Sequence, residues 1–276
     1  MTGHGPSGLE GAADKARWAH ACLAAHYGEP RPKERYDPLS ELVMTILSQN
    51  TNDTNSGRAY EALRQRYPTW EDVLAAPTHD LAAAIHVGGL ANVKAPRIQR
   101  ILAQVESEHG RLTLDALADL SPDEARRYLL SLPGVGPKTA ACVLLFSLEK
   151  PALPVDTHVH RVALRLGLIP RKAGAEQAHA LLEALLPPEA YYTFHLLMIQ
   201  HGRTLCKAAR PLCDACPLAT DCDHLCDQSA PPLARSDASP GADASPRAVR
   251  ARRGFTRARG SATMALTQPA IASCVV

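Results

Sequence analysis

Four cysteines, Cys206, Cys213, Cys216 and Cys222, fall in the order C-x6-C-x2-C-x5-C near the three-quarter point of the chain. So short a stretch cannot bury an apolar core of its own, yet four thiolates are enough to close a metal site, so the segment is expected to fold around metal. Zinc and an iron–sulfur cluster both suit four thiolates, and the spacing differs from the bacterial ferredoxin pattern, so ligand spacing leaves both open. Cys226 is a spare thiol beside the set. Of the 8 cysteines, Cys22 and Cys142 lie among Ala, Leu and Val and read as small buried hydrophobes.

The remainder of the 276 residues is long enough for one large or two small domains. Apolar residues are 46% and aromatic residues only 4%, rich in Ala and Leu, which suits helices better than a sandwich or barrel. Apolar side chains recur at three- and four-residue spacing, predicting helices over about 14–27, 39–49, 53–67, 70–75, 78–85 and 93–109, and over 157–166, 175–186 and 189–201. Ser121, Pro122 and Glu124 form a helix start with proline at the first helical position, and that helix ends at Leu132–Pro133 before a Gly-rich turn into Pro137–Leu148. Nothing alternates as a half-buried strand does, so the expected class is all-α. The first residues, MTGHGPSGLEGAADK, show neither a basic nor an apolar signal region and no apolar run reaches membrane-spanning length, so a cytoplasmic location is expected.

Net charge is only +2, which does not by itself announce a nucleic-acid binder. Residues 227–276 carry seven arginines against three aspartates, which leaves the rest net acidic. This segment is rich in Pro, Ser, Ala and Arg without periodicity and is expected to be a disordered tail that contacts phosphates without fixed geometry.

In LPGVGPKTA, Leu132–Ala140, Gly134 and Gly136 stand where a hairpin between two helices needs positive φ or close backbone approach. The second helix would begin with bare N–H groups able to hold a phosphate without reading sequence; a plain helical corner is the simpler alternative. Lys138 falls in that helix's first turn, where the dipole disfavours its charge and pushes the amine toward the neutral, nucleophilic form. In KPALPVDTHVHR, Asp156 precedes a helix and can act as its N-cap, and it can also hold catalytic charge if it faces a cleft. His158 and His160 lack a third ligand and are not read as a metal pair.

Hairpin lysine, loop aspartate and cysteine set occur together and in order, and the chain resembles the helix-hairpin-helix, Gly/Pro-rich loop, aspartate superfamily of DNA glycosylases, specifically its endonuclease III type. LPGVGPKTA resembles the hairpin with the catalytic lysine, PVDTHVHR the catalytic aspartate segment, and HGRTLCKAARPLCDACPLATDC the cluster-binding end. The resemblance implies two helical domains with a cleft between them. A six-helix barrel with the hairpin would span 31–150. A discontinuous iron–sulfur domain would join residues 1–30 to 151–226, and the tail would follow over 227–276. It further implies catalytic roles for Lys138 and Asp156 and a 4Fe–4S cluster on Cys206, Cys213, Cys216 and Cys222. DNA contacts would come from Gln49, Asn50, Leu90, Gly134, Gly136, Lys207 and Arg210. Leu90, in GGLANVKA, matches the residue that wedges the opposite strand. At the hole-filling position, in ILSQNTNDTNS, the family often has Gln, whereas this chain places Asn50 there with Gln49 beside it. The implied activity is that of a bifunctional glycosylase and abasic-site lyase acting, as a monomer, on oxidised pyrimidines in duplex DNA. The alternative from another class is a non-catalytic DNA-binding or redox-sensing iron–sulfur protein, which would need neither Lys138 nor Asp156.

Overall fold

The computed structural model describes residues 11–31 and 35–229, so the expected tail from residue 230 onward lies outside the described residues. Those residues form α-helices and short 3₁₀ turns with no strand among them, and no helix among them is long and apolar enough to cross a membrane.

The helices enclose two apolar cores. Around the first lie α2 (Pro38–Ser48), α3 (Asp53–Arg66), α4 (Trp70–Ala75), α5 (Thr78–Ala84), α6 (Ala91–His109), α7 (Pro122–Ser131) and α8 (Pro137–Phe146). Helix α2 is its axis, with every residue from Pro38 to Ser48 buried. Its start is fixed by Pro38 in the first turn and by the Asp37 carboxylate, which accepts from the Ser40 amide at 2.9 Å. Helix α7 starts as the sequence predicts: Ser121 Oγ accepts from the Glu124 amide and Glu124 Oε2 accepts from the Ser121 amide.

The second core draws on both ends of the described chain. Helix α1 (Ala12–Tyr27) contributes Ala16, Ala19 and Leu23, and α9 (Thr157–Leu166), α10 (Ala175–Glu183) and α11 (Tyr191–Thr204) supply most of the rest. Helix α1 is tied across by Tyr27, whose hydroxyl lies 2.9 Å from Thr204 Oγ1 and 3.1 Å from His201 Nδ1. Between the two cores run a two-pronged ion pair from Arg203 on α11 to Asp53 on α3, at 2.8 and 2.9 Å, and a bond from Arg126 on α7 to Glu183 on α10 at 3.0 Å.

Several boundaries differ from the sequence reading; α10, for example, ends at Glu183 rather than 186. Helix α6 starts at Ala91, because Leu90 takes a left-handed conformation and ends the preceding turn. Helix α11 continues to Thr204. Helix α12 (Asp223–Ser229) follows Cys222, where no helix is predicted, and runs past residue 227, where the tail is expected to begin. Lys15 of α1 donates to Asp223 at 2.6 Å, a long-range contact that local periodicity does not reveal.

Candidate active site

Helix α8 opens on Gly136 with Pro137 in its first turn and no side-chain cap. Its leading amides therefore have no intrahelical acceptor, which makes this end a natural anion site. The two hairpin glycines differ. Gly134 has φ +73°, a backbone conformation that favours glycine, and a Cβ there would sit 2.5 Å from Arg97 Nε, so the Arg97 side chain would have to move. Gly136 has φ −99° and a Cβ there would meet nothing within 4 Å, so no contact within the chain demands glycine at this exposed position.

Lys138, half-buried, sits in the first turn of α8. Asp156 is buried at the N-cap of α9, where Oδ1 accepts from the Val159 amide at 2.7 Å. Its other oxygen, Oδ2, is buried and has no hydrogen-bond partner among the described residues. A cap needs only one carboxylate oxygen, so Oδ2 is left for another purpose. The charges of Lys138 and Asp156 are both felt by His195, which is fully buried on α11. Burial pulls the His195 imidazole down to about 4, so it is neutral at physiological pH. Its Nδ1 donates to the Pro154 carbonyl at 2.8 Å, and His179 Nδ1 donates to the Leu153 carbonyl at 2.9 Å. Two buried histidines thus fix the loop that delivers Asp156.

A second carboxylate lies near Lys138. Glu41, at 3% exposure on α2, accepts from Thr45 Oγ1 at 3.2 Å. Burial raises its pKa to about 7, opposed by the Thr45 hydrogen bond and by the Lys138 charge. The sequence reading passed over Glu41, His195 and His179; the one available signal was a lone acid inside the apolar run LSELVMTILS.

Two segments beside α8 carry the residues expected to enter a duplex. Asn50 is exposed with φ 54°, and Leu90 has φ 52° and is 52% exposed. Non-glycine residues seldom adopt this region. Gln49 does not point outward with Asn50: its Oε1 accepts from Arg97 at 2.8 Å and its Nε2 reaches Thr139 Oγ1 at 3.4 Å. Leu90 and Val93, both exposed, line an open depression with His79 and His86.

Cys206, Cys213, Cys216 and Cys222 line one cavity together with Arg165, His201 and Leu205. Cys226 is exposed and absent from that lining. Burial pushes the Cys216 thiol up to about 11, and burial also raises that of Cys222. Arg165 donates to the carbonyls of Lys207 and Ala208 at 2.8 and 2.9 Å and to Cys206 Sγ at 3.4 Å. Among the described residues no group of three or more His, Cys, Asp and Glu side chains is disposed to hold a single metal ion. A convergent set of four soft donors in one apolar-walled cavity fits a thiolate-bound metal group. Lys207 and Arg210 are exposed on the loop between the first two cysteines. His160 Nε2 lies 2.9 Å from the Ala173 carbonyl and His158 Nδ1 lies 3.1 Å from an Arg161 guanidinium nitrogen.

The family signature described as "HhH-GPD superfamily base excision DNA repair protein" matches residues 43–188, which include the hairpin, Lys138 and Asp156. The chain belongs to this superfamily. An Arabidopsis thaliana relative, named as a DNA glycosylase only provisionally, is 40% identical over 194 residues, covering 67% of this chain and 66% of its own length. Endonuclease III of Thermotoga maritima is 37% identical over 194 residues, covering 70% of this chain and 86% of that protein. The chain spans much less of the longer plant relatives, 12% in the case of the Arabidopsis DNA glycosylase/AP lyase ROS1. Two endonuclease III–DNA structures, one a non-covalent complex and one a trapped covalent intermediate, superpose with a TM-score of 0.68 at 29% identity. They cover 78% of this chain and 97% and 98% of theirs. The all-α fold is that of endonuclease III.

Proposed function

We propose that this HhH-GPD protein is a bifunctional DNA glycosylase and abasic-site lyase that removes oxidised pyrimidines from duplex DNA and cleaves the strand by β-elimination. One observation carries the reading: a lysine in an uncapped helix start and a buried aspartate with an unpartnered oxygen act on the same buried histidine. A module that only bound DNA would gain nothing from an unsatisfied buried carboxylate oxygen, which costs about 1–3 kcal/mol or more. The relatives named as a glycosylase/AP lyase and as a covalent intermediate support a step through a covalent adduct.

In this mechanism the target nucleotide leaves the stack, at a cost of a few kcal/mol that is least for a damaged base. Leu90 and Asn50 hold the opened duplex, while the first amides of α8 and the exposed Lys207 and Arg210 contact phosphates. Lys138 Nζ, as the neutral amine, attacks C1′ of the deoxyribose, and the C1′–N bond breaks with its electron pair passing to the departing base. Asp156 Oδ2 stabilises positive charge developing on the sugar and takes up a proton from the Lys138 nitrogen. Ring opening gives a Schiff base between Lys138 and C1′. Loss of a C2′ proton then drives departure of the 3′ phosphate. Cys206, Cys213, Cys216 and Cys222 would hold a 4Fe–4S cluster. When bound it supplies iron–thiolate bonds that tie down the loop bearing Lys207 and Arg210. The protein acts as a monomer on DNA in the cytoplasm.

Borohydride trapping on thymine-glycol and abasic duplexes tests the reading. The native chain forms a covalent adduct, and Lys138→Gln loses adduct and strand cleavage while still binding. An undiminished adduct in Lys138→Gln overturns the assignment of the nucleophile. Tight binding by the native chain without any adduct favours the non-catalytic alternative.

A further inference from the structure

Lys94 is among the largest fully buried side chains of the described residues, at 1% exposure. It lies near the start of α6, where the helix dipole repels a cation. Burial, with a smaller contribution from the Arg97 guanidinium, pulls its pKa down to about 8. An apolar side chain of the same length would avoid this desolvation cost. The ammonium is held instead by two carbonyls, Leu47 O at 2.6 Å and Gly88 O at 2.8 Å.

Those carbonyls belong to different segments. Leu47 is in the last turn of α2, whose carbonyl end attracts a cation, three residues before Asn50. Gly88 ends the short turn two residues before Leu90. The segments also lie close together: a Cβ on Gly88 would sit 3.7 Å from Leu47 O, and 3.0 Å from Ala59 Cβ of the neighbouring α3. Both segments end in a non-glycine residue with positive φ, Asn50 at 54° and Leu90 at 52°. Such conformations are strained and persist where the surroundings hold them.

We propose that Lys94 is a positioning residue that locks the ends of these two segments into one unit, so that Asn50 and Leu90 enter the duplex together. The inference rests on the duplex-opening role given to those two residues above. By joining Leu47 O to Gly88 O, the ammonium sets the spacing between the residue that fills the vacated site and the residue that parts the opposite strand. It makes no contact with DNA and takes no part in the bond changes.

The experiment compares the native chain with Lys94→Met, which keeps the length and removes the donors. Opening is read by 2-aminopurine fluorescence opposite a non-cleavable abasic analogue at saturating protein, and chemistry by single-turnover cleavage of thymine glycol. Lys94→Met is expected to bind intact duplex with unchanged affinity and salt dependence, to lose the fluorescence rise, and to cleave a fully paired duplex about 100-fold more slowly, the scale of a misplacement near 1 Å. On the same lesion in a mismatched bubble, where opening is already complete, the loss should shrink to about threefold or less. The double variant Lys94→Met/Leu90→Ala should be no slower than Leu90→Ala alone. Equal losses on duplex and bubble, additive effects with Leu90→Ala, or a normal fluorescence rise would each overturn the proposal. If Lys94→Met does not fold, hydrogen exchange on the native chain decides. The bonded amides of Gln49 and Gly89 should open with one common free energy, and separate opening overturns the lock. Because 2-aminopurine reports opening without chemistry, a native chain that opens DNA but forms no borohydride adduct refutes the lyase reading and leaves the lock standing.

Discussion

Helix α2 and the segment from Leu205 to Cys222 are held by opposite means. Helix α2 is buried along its whole length, and its polar groups, Glu41 and Thr45, are bonded within the helix. The cysteine segment has only short turns of regular structure, and its backbone is gathered by arginines: Arg161 donates to the carbonyl of Cys206, and Arg165 to those of Lys207 and Ala208. One region has a shape dictated by excluded water and tolerates a few polar intrusions; the other has its carbonyls collected by side chains, and burial pushes two of its thiols, Cys216 and Cys222, above their ordinary range. Chemistry is accordingly expected beside the first region and a metal-dependent fold in the second.

Asp156 stands at the junction of the two cores and gives the largest expected effect. Asp156→Asn keeps a side-chain oxygen for the α9 cap but removes the charge at Oδ2. Base removal should fall by about 10²–10⁴-fold with little change in thermal midpoint. If unfolding shifts and activity does not, capping is the whole role of the residue.

Metal removal separates the two regions next. Anaerobically purified protein should be yellow-brown with absorption near roughly 400 nm and should contain iron and sulfide. Extraction of the iron should abolish hydrogen-exchange protection over 205–226 while amides of α2 and α8 retain theirs. Protection lost equally in both regions would show that they form one cooperative unit. Stoichiometric zinc without iron or sulfide would replace the cluster by a zinc site.

Glu41 gives the smallest and most specific effect. Its folded pKa of about 7 lies above the ordinary 4.5, so folding favours its protonated form. The associated stability is fully present below about pH 4.5 and is lost as pH rises through 7, a change of about 3 kcal/mol at most. In urea unfolding between pH 5 and 8, the native chain should lose stability relative to Glu41→Gln as pH rises. Parallel curves would show that Lys138 compensates the charge in full.

Periodic apolar spacing locates nine helices, because a helix that buries one face must repeat at that period, and start and stop residues locate two more. The hairpin and the cap of α9 were legible for the same local reason: glycine, proline and aspartate act on their own backbone. The conformation of Leu90 was not, since nothing in GGLANVKA marks a leucine for positive φ. Nor was the orientation of Gln49, which depends on Arg97, 48 residues away. His195, His179 and Lys94 were missed because each earns its place through carbonyls distant in sequence. Side chains that grip remote backbone leave no pattern in the neighbouring residues.

Helix α1 packs on the second core through partners such as Thr193, 173 residues further along. During synthesis the first core has all its residues once Ala152 has emerged, and it can fold while translation continues. Helix α1 must wait with its apolar face, Ala16, Ala19 and Leu23, uncovered until Phe194 and Leu197 arrive. The first helix of the described residues is therefore among the last to be packed, and the nascent chain depends for that interval on a folded barrel standing between the two halves of an unfinished lobe.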